Sequence, residues 1–159
     1  MPYMVMLIEE IKKRGKVHVV RLRDMENFFR NISGYDKKKE IYRVLSIEGK
    51  ELSYAITIIK SGKINNEYLM TKGHYHKIPS PEIYYLLKGK GVILMQKGND
   101  FKKIYMKKKK FYEIPEGYAN RTVNIGNNSL EFLSIYLTKS GHDYKTIEKR
   151  GFKQRIISR

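Results

Sequence analysis

Cysteine and tryptophan are absent from this 159-residue chain, and it contains only four prolines. Without cysteine the protein can form neither disulfides nor thiolate metal sites, so an intracellular protein is the default expectation. No apolar run approaches the roughly 20 residues that cross a bilayer. The charged residues Glu9, Glu10, Lys12 and Lys13 interrupt the first apolar stretch, which is unlike a signal peptide. We therefore expect a cytoplasmic protein with no membrane-spanning segment.

Acidic residues are also few, because 16 aspartates and glutamates stand against 33 lysines and arginines, for a net charge of +17. Such an excess is compatible with a nucleic-acid surface, with attraction for anionic metabolites, or with a lysine-rich composition alone. The densest runs, at residues 37–39 and 107–110, fall in predicted loops, where solvated charge is the ordinary interpretation. No nucleic-acid-binding motif accompanies them, so a nucleic-acid partner is not expected.

The length fits one domain with one core. Residues 1–39 form an N-terminal extension, residues 40–137 a strand-rich core, and residues 138–159 a C-terminal segment. Short β-branched or aromatic runs between turn residues predict nine core strands, at residues 40–47, 52–60, 67–71, 83–87, 92–96, 101–106, 111–114, 121–125 and 130–137. Nine strands at this spacing indicate an all-β sandwich or barrel.

Helical patterns occur only at the two ends of the chain. Residues 4–13 predict a short helix that ends near Gly15, and residues 17–22 predict a strand after it. Asp24 is a candidate N-cap for a second helix that Gly34 would stop, since apolar residues recur at helical spacing at positions 25, 28, 29 and 32. We expect this helix to pack on the core as a lid. Residues 145–149 predict a short helix near the C-terminus.

Two of the four histidines, His74 and His76, are two residues apart. In an extended segment both side chains point to the same face. A Pro79-Ser80-Pro81 turn follows, and it would fold the next strand back so that Glu82 lies beside them. Two imidazoles and a carboxylate suit iron, zinc or manganese. A lone histidine such as His18 is more simply explained as an ordinary surface or core residue.

The order of Gly73, His74, His76, Glu82 and Gly89 resembles the first cupin motif. A segment resembling the second motif follows, with Pro115, Gly117 and Asn124 in register, although Asn120 stands at the histidine position and Lys109 at the first glycine position. The chain resembles one cupin family in particular, the archaeal cupin-type phosphoglucose (glucose-6-phosphate) isomerases. This resemblance is carried by the segments at residues 71–76, 87–91, 121–126 and 141–144, and it extends from about residue 20 to residue 152. This resemblance implies a cupin, that is, a double-stranded β-helix or jelly-roll barrel, with short helical additions at both ends.

The resemblance also implies a set of site residues. The metal ligands would be His74, His76 and Glu82, with Asn120 as the fourth. The sugar-phosphate site would fall on Thr57, Thr71, Gly73, Tyr84, Tyr136, His142 and Tyr144. Glu82, His142 and Tyr144 would be the catalytic side chains. Hydroxyls and a glycine amide do suit a phosphate or polyol, but with 13 tyrosines in the chain most are expected simply to pack.

The implied activity is metal-dependent interconversion of glucose 6-phosphate and fructose 6-phosphate by a homodimer that binds Fe2+, or else Zn2+ or Mn2+. Hydrogen would move between C1 and C2 either as a proton through a cis-enediol or as a hydride. Asn120 leaves three outcomes open: a site with open positions, weak metal binding with slow turnover, or sugar-phosphate binding without metal. The rival hypotheses are a non-catalytic sugar-phosphate-binding cupin and a cupin with other metal chemistry, such as a dioxygenase.

Overall fold

The computed structural model describes residues 2–159, which form two facing β-sheets with a helix at each end of the chain. The strands are β1 (Lys16–Arg21), β2 (Glu40–Glu48), β3 (Leu52–Ile59), β4 (Lys63–Ile64), β5 (Glu67–Tyr68), β6 (Tyr75–His76), β7 (Glu82–Lys88), β8 (Gly91–Lys97), β9 (Asp100–Tyr105), β10 (Phe111–Ile114), β11 (Ala119–Asn124), β12 (Leu130–Leu137) and β13 (His142–Asp143). The helices are α1 (Pro2–Arg14) and α2 (Lys145–Arg150).

The larger sheet has six strands in the order β1-β2-β3-β12-β7-β10, and the smaller has three in the order β11-β8-β9. The short pairs β13-β6 and β4-β5 complete the fold. The main apolar core fills the space enclosed by the sheets, where Leu86 and Phe132 from the larger sheet meet Ile93 and Val123 from the smaller one. The alternation of strand side chains thus directs one face of each sheet into this interior.

Helix α1 covers the outer face of the larger sheet. Its apolar residues at positions 4, 7, 8 and 11 lie on one side of the helix, and Ile11 packs in a second apolar cluster with Ile56, Tyr85 and Leu133. Three basic residues in its last turn complement the helix dipole. The helix predicted at residues 4–13 is therefore confirmed, with slightly wider bounds.

The second predicted helix, beginning after Asp24, is wrong. The Asp24 carboxylate accepts a hydrogen bond from the backbone N–H of Arg21 at 2.8 Å, and a 3-10 turn covers only Leu22–Met25. Further along, the N–H of Arg30 donates to the side chain of Glu67 at 2.8 Å instead of to a preceding carbonyl, so a helical ladder does not continue. The apolar residues at positions 25, 28, 29 and 32 are nevertheless buried, as predicted.

All nine predicted core strands are present, although the one predicted at residues 67–71 is shortened to β5. The strand predicted at residues 17–22 corresponds to β1, and the terminal helix predicted at residues 145–149 corresponds to α2. The pairs formed by β4 and β13 were not predicted, because two-residue strands leave no periodic signal. The pairing of β13 proves important for the site.

The lysine runs at residues 37–39 and 107–110 lie in turns, as predicted, and most of their side chains are exposed. Among residues 2–159, neither helix has the length and apolar character that crossing a bilayer requires.

Candidate metal and sugar-phosphate site

The segment from His74 to His76 lies between two partners. His74 pairs with Asn120 of β11 through an isolated bridge, and His76 of β6 pairs directly with His142 of β13. Side chains of directly opposed residues on paired strands lie on the same face, and His74 and His76 already share a face because they are two apart. The local topology therefore directs three imidazoles and one amide toward the same region.

Glu82, the first residue of β7, completes this group after the turn at residues 79–81. Ser80 in that turn also fixes the ring of His76, whose Nδ1 lies 2.9 Å from the Ser80 carbonyl oxygen and 3.1 Å from its hydroxyl. A carbonyl oxygen can only accept, so Nδ1 carries the hydrogen in this contact. In the neutral ring the lone pair then resides on Nε2, which faces Glu82.

The Nε2 atoms of His74 and His76 are buried and have no hydrogen-bond partner within residues 2–159. They lie 3.5 Å and 3.3 Å from Oε2 of Glu82, which are electrostatic contacts without the alignment of a hydrogen bond. Burial raises the pKa of Glu82, but the two imidazoles outweigh it and lower that pKa to about 2. Two inward nitrogen atoms against an ionised carboxylate fit a bound divalent cation.

His142 lies close to His74 and His76, and the sequence alone did not indicate this proximity. One ligand atom each from His74, His76 and His142 lie within 4.8 Å of one another, and the rings of His74 and His142 meet edge to face with centroids 4.4 Å apart. Burial, followed by the nearby charge of His74, lowers the pKa of His142 to about 4. The His142 ring is thus neutral near pH 7 and retains a nitrogen lone pair.

A cavity open to solvent on one side is lined by His74, Glu82 and His142. Nine of the residues predicted for the site line it, namely Thr57, Thr71, Gly73, His74, Glu82, Tyr84, Tyr136, His142 and Tyr144. His76 and Asn120 do not line it.

Five further lining residues were not predicted: Tyr42, Val44, Ala55, Phe132 and Ser134. They occupy alternate positions on β2, β3 and β12. The two-residue period of a strand, extended from Thr57 and Tyr136, would have identified Ala55, Phe132 and Ser134. Lys72 was also missed, and its ammonium group lies 5.7 Å from the centre of the Tyr144 ring, beside the cavity.

Asn120 is 2% exposed, and both ends of its side-chain amide already have partners. Its Oδ1 accepts a hydrogen bond from the Tyr84 hydroxyl at 2.6 Å, and its Nδ2 donates to Oε2 of Glu82 at 3.4 Å. The ionised Glu82 can only accept, which explains why the amide nitrogen points toward it. Burial and the nearby Glu82 charge raise the pKa of Tyr84 well above its usual value, so this phenol remains a donor.

Gly73 permits the close approach of chain segments at the cavity. Its φ is +80°, and a Cβ added there would lie 2.7 Å from the Phe152 ring and 3.0 Å from the Asn120 carbonyl oxygen. Both the left-handed backbone and the lack of space therefore require glycine at this position.

Comparison with known proteins gives these residues a context. The sequence profile of the family described as glucose-6-phosphate isomerase (GPI) matches residues 9–159. The chain belongs to the glucose-6-phosphate isomerase family. A family member from Thermococcus litoralis named glucose-6-phosphate isomerase is 38% identical over 158 residues, covering 92% of this chain and 83% of that protein. Its namesake from Pyrococcus abyssi is 40% identical over 154 residues, covering 90% and 82%. The family resemblance in the sequence is thereby confirmed.

Solved structures give the fold. An oxalate decarboxylase from Lactobacillus farciminis, solved as a formate complex, matches with a TM-score of 0.54 at 20% identity, over 65% of this chain and 30% of that chain. A deletion mutant of the Bacillus subtilis oxalate decarboxylase matches with a TM-score of 0.55 at 18% identity, over 66% of this chain and 28% of that one. The chain therefore spans less than a third of these larger proteins. This likeness concerns the fold alone, and it confirms the predicted cupin barrel of this glucose-6-phosphate isomerase family member.

Proposed function

We propose that this protein catalyses the metal-dependent interconversion of glucose 6-phosphate and fructose 6-phosphate. Family membership supports the reaction, and one observation supports the metal: two buried imidazole nitrogens without hydrogen-bond partners in residues 2–159 face an ionised carboxylate. Of these groups, His74 and Glu82 line a cavity whose other walls carry hydroxyls, which suit a phosphorylated polyol.

His74, His76 and Glu82 form the core of the proposed metal site. Two nitrogens and one carboxylate oxygen suit Fe2+ first, with Zn2+ and Mn2+ as alternatives. When bound, the ion supplies Lewis acidity to the carbonyl and hydroxyl oxygens at C1 and C2 of the open-chain sugar.

The remainder of the substrate is held by the opposite walls of the cavity. We assign the phosphate to Thr57, Thr71, the amide of Gly73 and Tyr136. Thr71 Oγ1 accepts from the backbone N–H of Thr122 at 3.1 Å, so its own O–H is free to donate to a phosphate oxygen. Lys72 beside the cavity adds positive charge. Binding the phosphate at a distance from C1 and C2 orients the reacting carbons.

The three side chains predicted to be catalytic have pKa values far from neutrality. The pKa is about 2 for Glu82, about 4 for His142 and about 12 for Tyr144. A general base works best when its pKa lies near the working pH. We therefore propose that hydride passes directly from C2 to C1, and that the accompanying proton passes from O2 to O1. Tyr144 would orient the oxygens as a phenol donor, and Glu82 would serve as a metal ligand.

The decisive experiment is a coupled assay with fructose 6-phosphate on protein stripped by a chelator and then reloaded with Fe2+, Zn2+ or Mn2+, with metal content measured in parallel. We expect activity to disappear on stripping and to return with at least one metal. Equal activity in stripped and reloaded protein would refute the metal role. Tight glucose 6-phosphate binding without isomerisation would favour the second candidate, a non-catalytic sugar-phosphate-binding cupin, which Asn120 at the histidine position supports.

We also propose a cytoplasmic homodimer. Ile83 is 40% exposed and Phe111 is 54% exposed, and both lie at the β10 end of the larger sheet. Exposed apolar side chains on a sheet face are suited to association. Light scattering after gel filtration measures the mass directly, and Phe111→Lys should shift a dimer to monomer; an unchanged dimer would place the interface elsewhere.

A further inference from the structure

Three of the chain's four histidines meet at the proposed metal site. We propose that His142 is the third nitrogen ligand of the divalent cation, and that Asn120 positions Glu82 and Tyr84 without ligating. This inference rests on the proposed function, because it concerns the ligand set of the same site. The family resemblance implies instead that His142 contacts the substrate and acts in catalysis, and that Asn120 ligates the metal.

The segment from His74 to His76 is paired with another part of the chain on each of its two sides. Asn120 is paired with His74 on one flank, and His142 is paired with His76 on the other. Both partners present a side chain toward the same region. The amide thus lies on one side of the His74 and His76 imidazoles, and a third imidazole lies on the other.

Asn120 is poorly placed to serve as a ligand, since its amide nitrogen, and not its oxygen, faces Oε2 of Glu82 at 3.4 Å. Bringing Oδ1 toward the cation would require turning the amide, which would take that oxygen from the Tyr84 hydroxyl, 2.6 Å away in a residue only 4% exposed. The phenol would then be a buried donor without this acceptor, which is unfavourable. The same rotation would turn the amide oxygen toward the ionised Glu82, which repels it.

His142 has the better donor chemistry. A neutral imidazole nitrogen is a stronger ligand for Fe2+, Zn2+ or Co2+ than an amide oxygen. Metal–nitrogen bonds of about 2.1 Å place neighbouring ligand nitrogens about 3 to 3.5 Å apart. The three histidine atoms lie within 4.8 Å of one another, so closing the site requires side-chain shifts of about 1 Å, which rotamer adjustments supply.

This ligand set has a chemical consequence. His142 bound to the cation cannot act as a general base, because its lone pair is occupied. This consequence agrees with the proposed direct hydride transfer, which requires no general base.

The test counts coordinated imidazoles in Co2+-loaded protein. Each histidine bound through one ring nitrogen retains a hydrogen on the other, and the paramagnetic ion shifts that exchangeable proton signal far outside the normal NMR range. We expect three such signals in the unmodified protein, and two in His142→Ala and in the milder His142→Gln. Equilibrium dialysis should show Co2+ affinity falling about tenfold or more in both variants.

Two further variants provide matched controls. Asn120→Ala should keep all three signals, because it removes a group that positions Glu82 and no imidazole ligand. His18→Ala removes the remaining histidine, which is exposed on β1, and should change neither signal number nor affinity. Thermal unfolding of the metal-free variants verifies that each is folded.

Two shifted signals in the unmodified protein would overturn the assignment, as would three shifted signals in His142→Ala. Isomerase activity separates this inference from the proposed function. Two signals in an active metal-loaded enzyme would refute the role of His142 alone. Three signals in a protein that never isomerises fructose 6-phosphate would support the ligand set and refute the function.

Discussion

Replacing His76 with alanine tests the metal site most directly. The His76 side chain is 5% exposed, its Nδ1 contacts the Ser80 carbonyl oxygen at 2.9 Å, and its Nε2 points to Glu82. The substitution removes one proposed ligand and the packing of one ring, and it leaves His74 in place. Its effect on stability therefore has two parts, one that is independent of metal and one that requires it.

The metal-independent part comes from the lost ring and the lost contact with Ser80. A buried side chain truncated to alanine, together with one unsatisfied carbonyl, costs about 2 to 4 kcal/mol. For a chain of this length each 1 kcal/mol lowers Tm by about 2 to 4 °C. We therefore expect the metal-free variant to unfold some 5 to 15 °C below the unmodified protein.

The metal-dependent part is measured by adding Zn2+ or Mn2+. At a concentration about 100 times Kd, binding to the folded state stabilises by about 2.7 kcal/mol, which raises Tm by about 5 to 11 °C. We expect this increase in the unmodified protein and in His18→Ala, and we expect none in His76→Ala. Differential scanning calorimetry measures both parts. A full metal-induced shift in His76→Ala, or full isomerase activity, would remove His76 from the site and refute the reasoning.

Four further predictions follow from the same geometry. Asn120→His adds a nitrogen donor opposite His74 and should raise both the metal affinity, measured by dialysis, and the isomerase activity, measured by the coupled assay. If neither increases, position 120 does not face the ion. Gly73→Ala should lower the free energy of unfolding in urea by about 1 to 3 kcal/mol, because its φ is +80° and Phe152 fills the space; an unchanged midpoint would contradict this. Isomerisation of fructose 6-phosphate in D2O should leave C2 of the product largely free of deuterium by NMR, whereas near-complete incorporation would indicate an exchanging base. Burial lowers the pKa of His76, but Glu82 raises it more, so this pKa lies above its usual value. Metal affinity should therefore fall as the pH drops through that raised pKa, because the proton competes with the ion for the imidazole. A constant affinity from pH 8 to pH 5, measured by calorimetry, would contradict this.

The barrel and the core of the site were predictable because their signals are local. The spacing of His74 and His76, the turn before Glu82 and the alternating apolar strands each occupy a few consecutive residues. Local periodicity determines which face a side chain occupies. The sequence also placed His142 in the site, but only through the family resemblance.

The pairing that brings His142 opposite His76 could not be predicted. It joins residues separated by most of the barrel, and strand β13 is only two residues long. The helix predicted after Asp24 is absent for a similar reason. The side chain of Glu67, which is distant in sequence, accepts a hydrogen bond from the backbone N–H of Arg30. Tertiary contacts of this kind override a local helical pattern.

The two departures from the second cupin motif differ in their physical consequences. Lys109, at the first glycine position, keeps a left-handed backbone with a φ of 60°, which costs a non-glycine residue about 1 to 2 kcal/mol. That cost affects stability alone and can be offset by packing elsewhere in the barrel. Asn120 removes a ligand atom, and no gain in packing replaces a ligand. A nearby side chain can supply the donor that position 120 lacks, and the strand pairing places the ring of His142 where it can do so.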